Sequence, residues 1–111
     1  MIERIHLVKL KTEHATARGR REIIDRALAV LPAVPGVRGV TAGAPADVDA
    51  AQSWDLVIVV RFDSLGDVDP YRVHPEHRRF VDEFLSPRTD VKKGWNFECV
   101  ETGRGDKLDA E

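Results

Sequence analysis

Nine residues constrain this chain more than any others: Trp54-Asp55-Leu56-Val57-Ile58-Val59-Val60-Arg61-Phe62. Side chains along an extended backbone alternate between two faces. Trp54, Leu56, Ile58, Val60 and Phe62 then line one face. Val57 and Val59 fill the middle of the other, which Asp55 and Arg61 end. A strand that is apolar on both sides is a central strand, covered twice. The rest of the chain has to supply both covers.

One cover comes from two helices. The spacing predicts the first from about Ala17 to Leu31, with Ile24, Ala27, Leu28 and Leu31 as its buried stripe and Ile23 and Val30 at the margins. Arg18, Arg20, Arg21, Glu22, Asp25 and Arg26 read as its solvated face rather than as a phosphate site. Pro32 and Pro35-Gly36 stop it and turn the chain. The second helix opens at Pro75, whose fixed backbone angle suits a first helical position and pushes His74 out of helical space. Glu76 then meets the positive end of the helix dipole. His77, Phe80, Val81, Phe84 and Leu85 share one side of it, Arg78, Arg79, Asp82 and Glu83 mostly the other, and Pro87 follows its end.

Three more segments read as strands: Ile2 to Lys11, a weaker Val37 to Ala44 interrupted by Gly39 and Gly43, and Val91 to Glu101 with Trp95, Phe97 and Cys99 on one face. Ala44 to Ser53 reads as a small polar loop and Asp63 to Tyr71 as a short helical turn or loop. The order strand, helix, strand, strand, helix, strand is the split βαβ arrangement: α+β, ferredoxin-like, a four-stranded antiparallel sheet with helices on one face. No third helix remains for the other face. The simplest cover is a second copy of the same sheet, so a homodimer is expected.

At 111 residues the chain makes one domain, ending near Glu101, with a polar tail over 102–111 expected to be disordered. The tripeptide Arg104-Gly105-Asp106 in that tail is read as coincidence. Hydrophobic residues at 42% and charged residues at 32% suit a globular domain, and a formal charge of −2 supplies no field for nucleic acid or an anionic membrane. Cys99 is the lone cysteine, so no internal disulfide forms, and it reads as a small core residue rather than a nucleophile. The start Met1-Ile2-Glu3-Arg4 lacks a signal-peptide pattern and no apolar run reaches membrane-spanning length, so the expected location is cytoplasmic. Gly36, Gly39 and Gly43 fit neither phosphate-binding spacing, and no cofactor is expected.

Two histidines sit among apolar groups. His77 heads the stripe of the second helix, and His6 shares a strand face with Val8 and Leu10; His14 lies in a polar connection. A histidine in such a place is either a hydrogen-bonded structural residue or a reactive one. Tyr71, the only tyrosine, precedes His77 by six residues.

The segments Ile5-His6-Leu7-Val8-Lys9-Leu10, Trp54 to Phe62, Tyr71-Arg72-Val73-His74-Pro75-Glu76-His77-Arg78-Arg79-Phe80-Val81 and Trp95-Asn96-Phe97-Glu98 together resemble the stress-responsive α/β-barrel (Dabb) domain family. The resemblance covers Ile2 to about Val100, and the His-Pro-x-His segment before an aromatic helix is its most specific part. It implies ferredoxin-like protomers pairing through their sheets into a dimeric α/β barrel. One branch is similar to plant olivetolic acid cyclase, which closes a linear polyketide by aldol condensation. Carried over by motif, its catalytic tyrosine and histidine are Tyr71 and His77, with His6 and His74 as substrate-binding positions. A further histidine of that cyclase falls at or beside Leu56, where this chain has none. The antibiotic-biosynthesis monooxygenases share the architecture, and a shared fold does not assign their reaction.

Such residues support cofactor-independent acid/base chemistry. Imidazole, with a pKa of about 6.5, removes a proton next to a carbonyl. A tyrosine hydroxyl, with a pKa of about 10, donates to the enolate oxygen. The expected ligand is a small apolar or aromatic carbonyl compound near His6, Tyr71 and His77. Two other readings stand beside it: a metal held by His74 and His77, with Glu76 between them, Pro75 breaking the helical spacing and no third ligand evident, and a non-catalytic ligand-binding or stress-associated dimer.

Overall fold

The computed structural model describes residues 1–102, and the expected tail with Arg104-Gly105-Asp106 lies outside them apart from Thr102. Four strands form one antiparallel sheet: β1 (Ile2–Leu10), β2 (Gly39–Gly43), β3 (Leu56–Phe62) and β4 (Thr89–Glu98), in the order β2-β3-β1-β4. β3 is central, as its two apolar faces require, with Ile5 opposite Val59 and His6 opposite Ile58 on β1. The helix α1 (Ala17–Val30) and the run that follows β3 cover one face. Ile2, Val8, Leu10, Leu56, Ile58, Val60 and Phe62 are buried beneath them.

The other face carries Ile5, Leu7, Val57 and Val59 in the middle, none of them fully buried. Trp95 and Phe97 extend this surface on β4 at 45% and 50% exposure, with Trp95 opposite Ile5. The expected pattern of one covered and one greasy uncovered face is therefore present in the protomer.

Helix α1 is rotated from the expected stripe. Ile23, Ile24 and Ala27 are buried, while Leu28 is 43% exposed. Arg20 shares the inward face with these residues instead of lying on the wet face. Its guanidinium donates to the Asp55 carboxylate through Nε at 3.2 Å and Nη2 at 2.8 Å. Asp55 is only 2% exposed, and its other oxygen accepts the Leu10 N–H at 2.8 Å. This pair ties α1, β1 and the start of β3 together.

The segment expected as a loop after β2 contains a helix, α2 (Val48–Ser53). Asp47 caps it, Oδ1 accepting the Ala50 N–H at 2.9 Å, so a capping carboxylate outweighs the weak composition of the turn. The region before Pro75 is also helical, α3 (Val68–Val73). The helix from Pro75 does not stop before Pro87. It runs as α4 (Pro75–Arg79), a π-helical stretch over Phe80–Leu85 and α5 (Ser86–Arg88). Pro87 has no N–H, and its ring would strike the Glu83 carbonyl in a tight α-turn; the wider turn makes room. The carbonyls of Phe84 and Leu85 are taken by Arg88 Nη1 and Thr89 Oγ1, each at 2.8 Å. Cys99, expected in the core, lies partly exposed past the end of β4. No helix among the described residues is long and apolar enough to cross a membrane.

Candidate functional site

The break between α3 and α4 builds the site. Pro75 forces His74 into an extended conformation, with φ −63° and ψ 137°, so α3 ends and α4 starts in a new direction. The Arg72 carbonyl, freed of its helical partner, accepts a hydrogen bond from His77 Nδ1 at 2.9 Å. A carbonyl can only accept, so Nδ1 carries the proton and Nε2 of the neutral ring keeps its lone pair. The same kink lays the His77 ring against Tyr71, with centroids 4.3 Å apart and planes tilted by 44°. Phe62 from β3 meets Tyr71 edge-on at 5.1 Å, which fixes the phenol from below.

His6 approaches from β1. Its neighbour across the ladder is Gly94 on β4, and a Cβ there would sit 2.5 Å from His6 Cδ2 and 2.6 Å from Nε2. Only glycine leaves the imidazole its place. His6, Tyr71 and His77 line one cavity of about 160 Å³ between the sheet and the helices, with Leu31, Ile58, Phe80, Val81 and Leu85 as its apolar wall. A void of about that size holds one benzene-sized ring. Ile58, not Leu56, is the β3 residue that reaches it.

His74, expected at the ligand, is absent from that lining. Its Nδ1 accepts the Glu76 N–H at 3.1 Å, so it caps α4. Glu76 turns to Arg79 instead, at 2.6 Å. The set His74, Glu76 and His77 is thus not gathered at one point, and no group of three His, Cys, Asp or Glu side chains among the described residues is arranged to hold a metal.

Burial sets the protonation of the site. His6 is pushed down to about 4, first by desolvation and then by Arg4, His77, Lys92 and Arg72. His77 is also lowered by burial, partly offset by its bond to the Arg72 carbonyl. Burial pushes the Tyr71 hydroxyl well above its ordinary range. At neutral pH the cavity therefore presents two neutral imidazoles and a protonated phenol: a base with a free nitrogen and a hydrogen-bond donor, side by side.

The motif did not point to four cations that line the same cavity: Arg4, Arg72, Arg78 and Lys92. Strand alternation already placed Arg4 on the face of His6. What alternation does not say is which end of that face the helices leave open.

Residues 2–92 match the family model for the Stress Responsive A/B Barrel Domain. Among solved structures, a Dabb family protein with a ferredoxin-like fold from Mesorhizobium loti superposes with a TM-score of 0.73 at 16% identity, over 90% of this chain and 97% of that one. A dimeric ferredoxin-like protein of unknown function from Thermobifida fusca gives 0.71 at 24%, over 88% and 90%. The hydroxynitrile lyase of Passiflora edulis gives 0.72 at 16%, over 92% and 95%. At such identities these likenesses establish the fold alone. No curated protein matches the chain.

Proposed function

The chain belongs to the stress-responsive A/B barrel domain family, and we propose that it works as a cytoplasmic homodimer whose protomers each bind a small apolar or aromatic carbonyl compound and act on it by acid/base chemistry without a cofactor. His77 Nε2 takes a proton from the carbon next to the carbonyl. The electron pair moves to oxygen, where the Tyr71 hydroxyl donates to the enolate. In a β,γ-unsaturated ligand the proton returns from His77 to the γ-carbon of the dienolate, an isomerisation; in a ligand with a second carbonyl the enolate carbon attacks it and His77 returns the proton to the new alkoxide, a cyclisation. His6 borders the ligand from β1. The observation that carries this reading is the His77 Nδ1 bond to the Arg72 carbonyl beside the tilted Tyr71 ring. It fixes the tautomer a base requires.

Dimerisation is argued from the face opposite the cavity. Ile5, Leu7, Val57, Val59, Trp95 and Phe97 form one apolar surface that water meets unless a second sheet covers it. The dimeric Thermobifida fusca neighbour has the same fold. Sedimentation equilibrium at micromolar concentration should give twice the protomer mass, and a Trp95→Glu variant should shift toward monomer. The Passiflora edulis lyase supports the chemistry only in that this fold carries a lyase elsewhere.

A second reading, a binding module without turnover, is favoured by the lowered basicity of His77. Exchange of the α-protons of phenylacetone in D2O, followed by NMR, separates the two. Catalysis predicts exchange above background that falls by about 10²-fold or more in His77→Ala. Binding without exchange in the wild type supports the module.

A further inference from the structure

We propose that the ligand of this cavity is an anion, a small keto acid whose carboxylate is seated on Arg4; the proposal rests on the carbonyl-pocket reading above. The lining holds four cationic side chains and not one carboxylate. Two of the four have acidic partners nearby. Arg78 Nη2 lies 2.5 Å from Asp82, and Arg72 Nη1 lies 3.8 Å from Asp69. Arg4 has only a neutral one, its Nη1 donating to Asn96 Oδ1 at 2.9 Å across the β1–β4 ladder.

Arg4 is also incomplete. Its Nε is shielded from solvent and has no hydrogen-bond acceptor. A buried N–H left without an acceptor is costly, and on a guanidinium more so. Asn96 takes Nη1, and Nε is packed against the protein, so the guanidinium meets an anion from the cavity as a charge and not through Nε. A cation without an acidic partner favours a carboxylate over a phenol, a ketone or an ester, because only the carboxylate brings a compensating charge. Burial, and after it the charge of Arg72, hold the Arg4 proton more loosely than usual, and a bound anion would offset the crowding of positive charge. The apolar wall accepts one ring or short chain, so the carboxylate has to be carried by a small skeleton. A keto acid meets all three demands: carboxylate to Arg4, carbonyl toward Tyr71 and His77, hydrocarbon to Ile58 and Phe80.

The test uses a matched pair, phenylpyruvate and phenylacetone, which share a skeleton and differ by carboxylate against methyl. Calorimetric titration of the full chain should give phenylpyruvate the tighter binding by about tenfold or more, as a charge-assisted pair implies. In Arg4→Gln the two ligands should bind alike, while Arg21→Gln, an exposed arginine on α1, should keep the preference. In the wild type, raising NaCl from about 20 to about 300 mM should weaken phenylpyruvate and leave phenylacetone unchanged. That measurement needs no variant to fold. Equal affinity for the two ligands, or a preference that survives Arg4→Gln, overturns the anion proposal and leaves the carbonyl pocket standing. Binding of neither ligand overturns both.

Discussion

Two groups of buried polar side chains sit under the helices, and they are treated in opposite ways. Toward the end of β1, Asp55 accepts from the Leu10 N–H and from two nitrogens of Arg20. Toward the start of β1, Arg4 keeps an Nε without acceptor. His6 and Tyr71 show no side-chain hydrogen bond among the described residues, and His77 uses one nitrogen of two. The first cluster is closed and welds three elements together. The second is open on the side of a cavity. Polar groups whose only task is structural are normally satisfied within the protein. Arg88 Nε is also buried without an acceptor, but it lies against the Phe84 ring away from the cavity; what sets Arg4 apart is that it lines the cavity.

Breaking the closed cluster should have the largest effect. Asp55→Ala leaves the Leu10 N–H buried without an acceptor and releases Arg20. The expected loss is roughly 3 kcal/mol or more, a fall of more than about 10 °C in melting midpoint for a domain of this size. A thermal melt followed by circular dichroism checks it. A fall of only a degree or two would make the two clusters equivalent.

Acid should act next, through the open cluster. The folded-state pKa of His6 is lowered to about 4 from 6.5, so the unfolded chain binds more protons between those values. Stability from this residue is complete above about 6.5 and is lost as pH falls toward about 4. His77 acts in the same direction. The loss attributable to His6 is on the order of 3 kcal/mol. It is read as the difference in pH slope between the wild type and His6→Leu, which cancels whatever the two proteins share. Identical slopes would place His6 in water.

A smaller effect is expected from Gly94→Ala. The added methyl displaces the His6 ring toward the cavity. Overpacking of this kind costs about 1 kcal/mol, yet phenylpyruvate binding should fall below detection. Loss of binding with nearly intact stability would locate the ligand beside His6.

Much of this was legible in the sequence because it follows from period and punctuation. The doubly apolar β3 marked the sheet centre, Pro75 the start of α4, and of the stripe from His77 to Leu85 His77, Phe80, Phe84 and Leu85 are buried and Val81 partly so. The motif carried Tyr71 and His77 together with His6, and the cavity does bring these three to one place. What was not legible depends on partners distant in sequence. Arg20 looks like any wet-face arginine until Asp55, 35 residues away, is placed beside it. Leu28, expected in the buried stripe, is exposed. Pro87 reads as a terminator because sequence rules assume an α-turn, and the π-turn evades the clash. His74 reads as a ligand until its nitrogen is seen on the Glu76 N–H.

The sharpest contrast with Asp55→Ala is the variant expected to do least. Arg4→Met keeps the long stem that packs along β1 and removes the guanidinium with its unpaired Nε. A buried donor without an acceptor contributes nothing to folding, and an apolar replacement of similar shape can be neutral or stabilising. Arg4 also lies close enough to Arg72 for each to repel the other's charge. The melting midpoint of Arg4→Met should therefore equal or slightly exceed that of the wild type, while the preference for phenylpyruvate over phenylacetone disappears. Residues kept for ligands commonly cost the fold a little stability. If Arg4→Met instead melts as low as Asp55→Ala, Arg4 is a structural member like Asp55, and the cavity loses its anion seat.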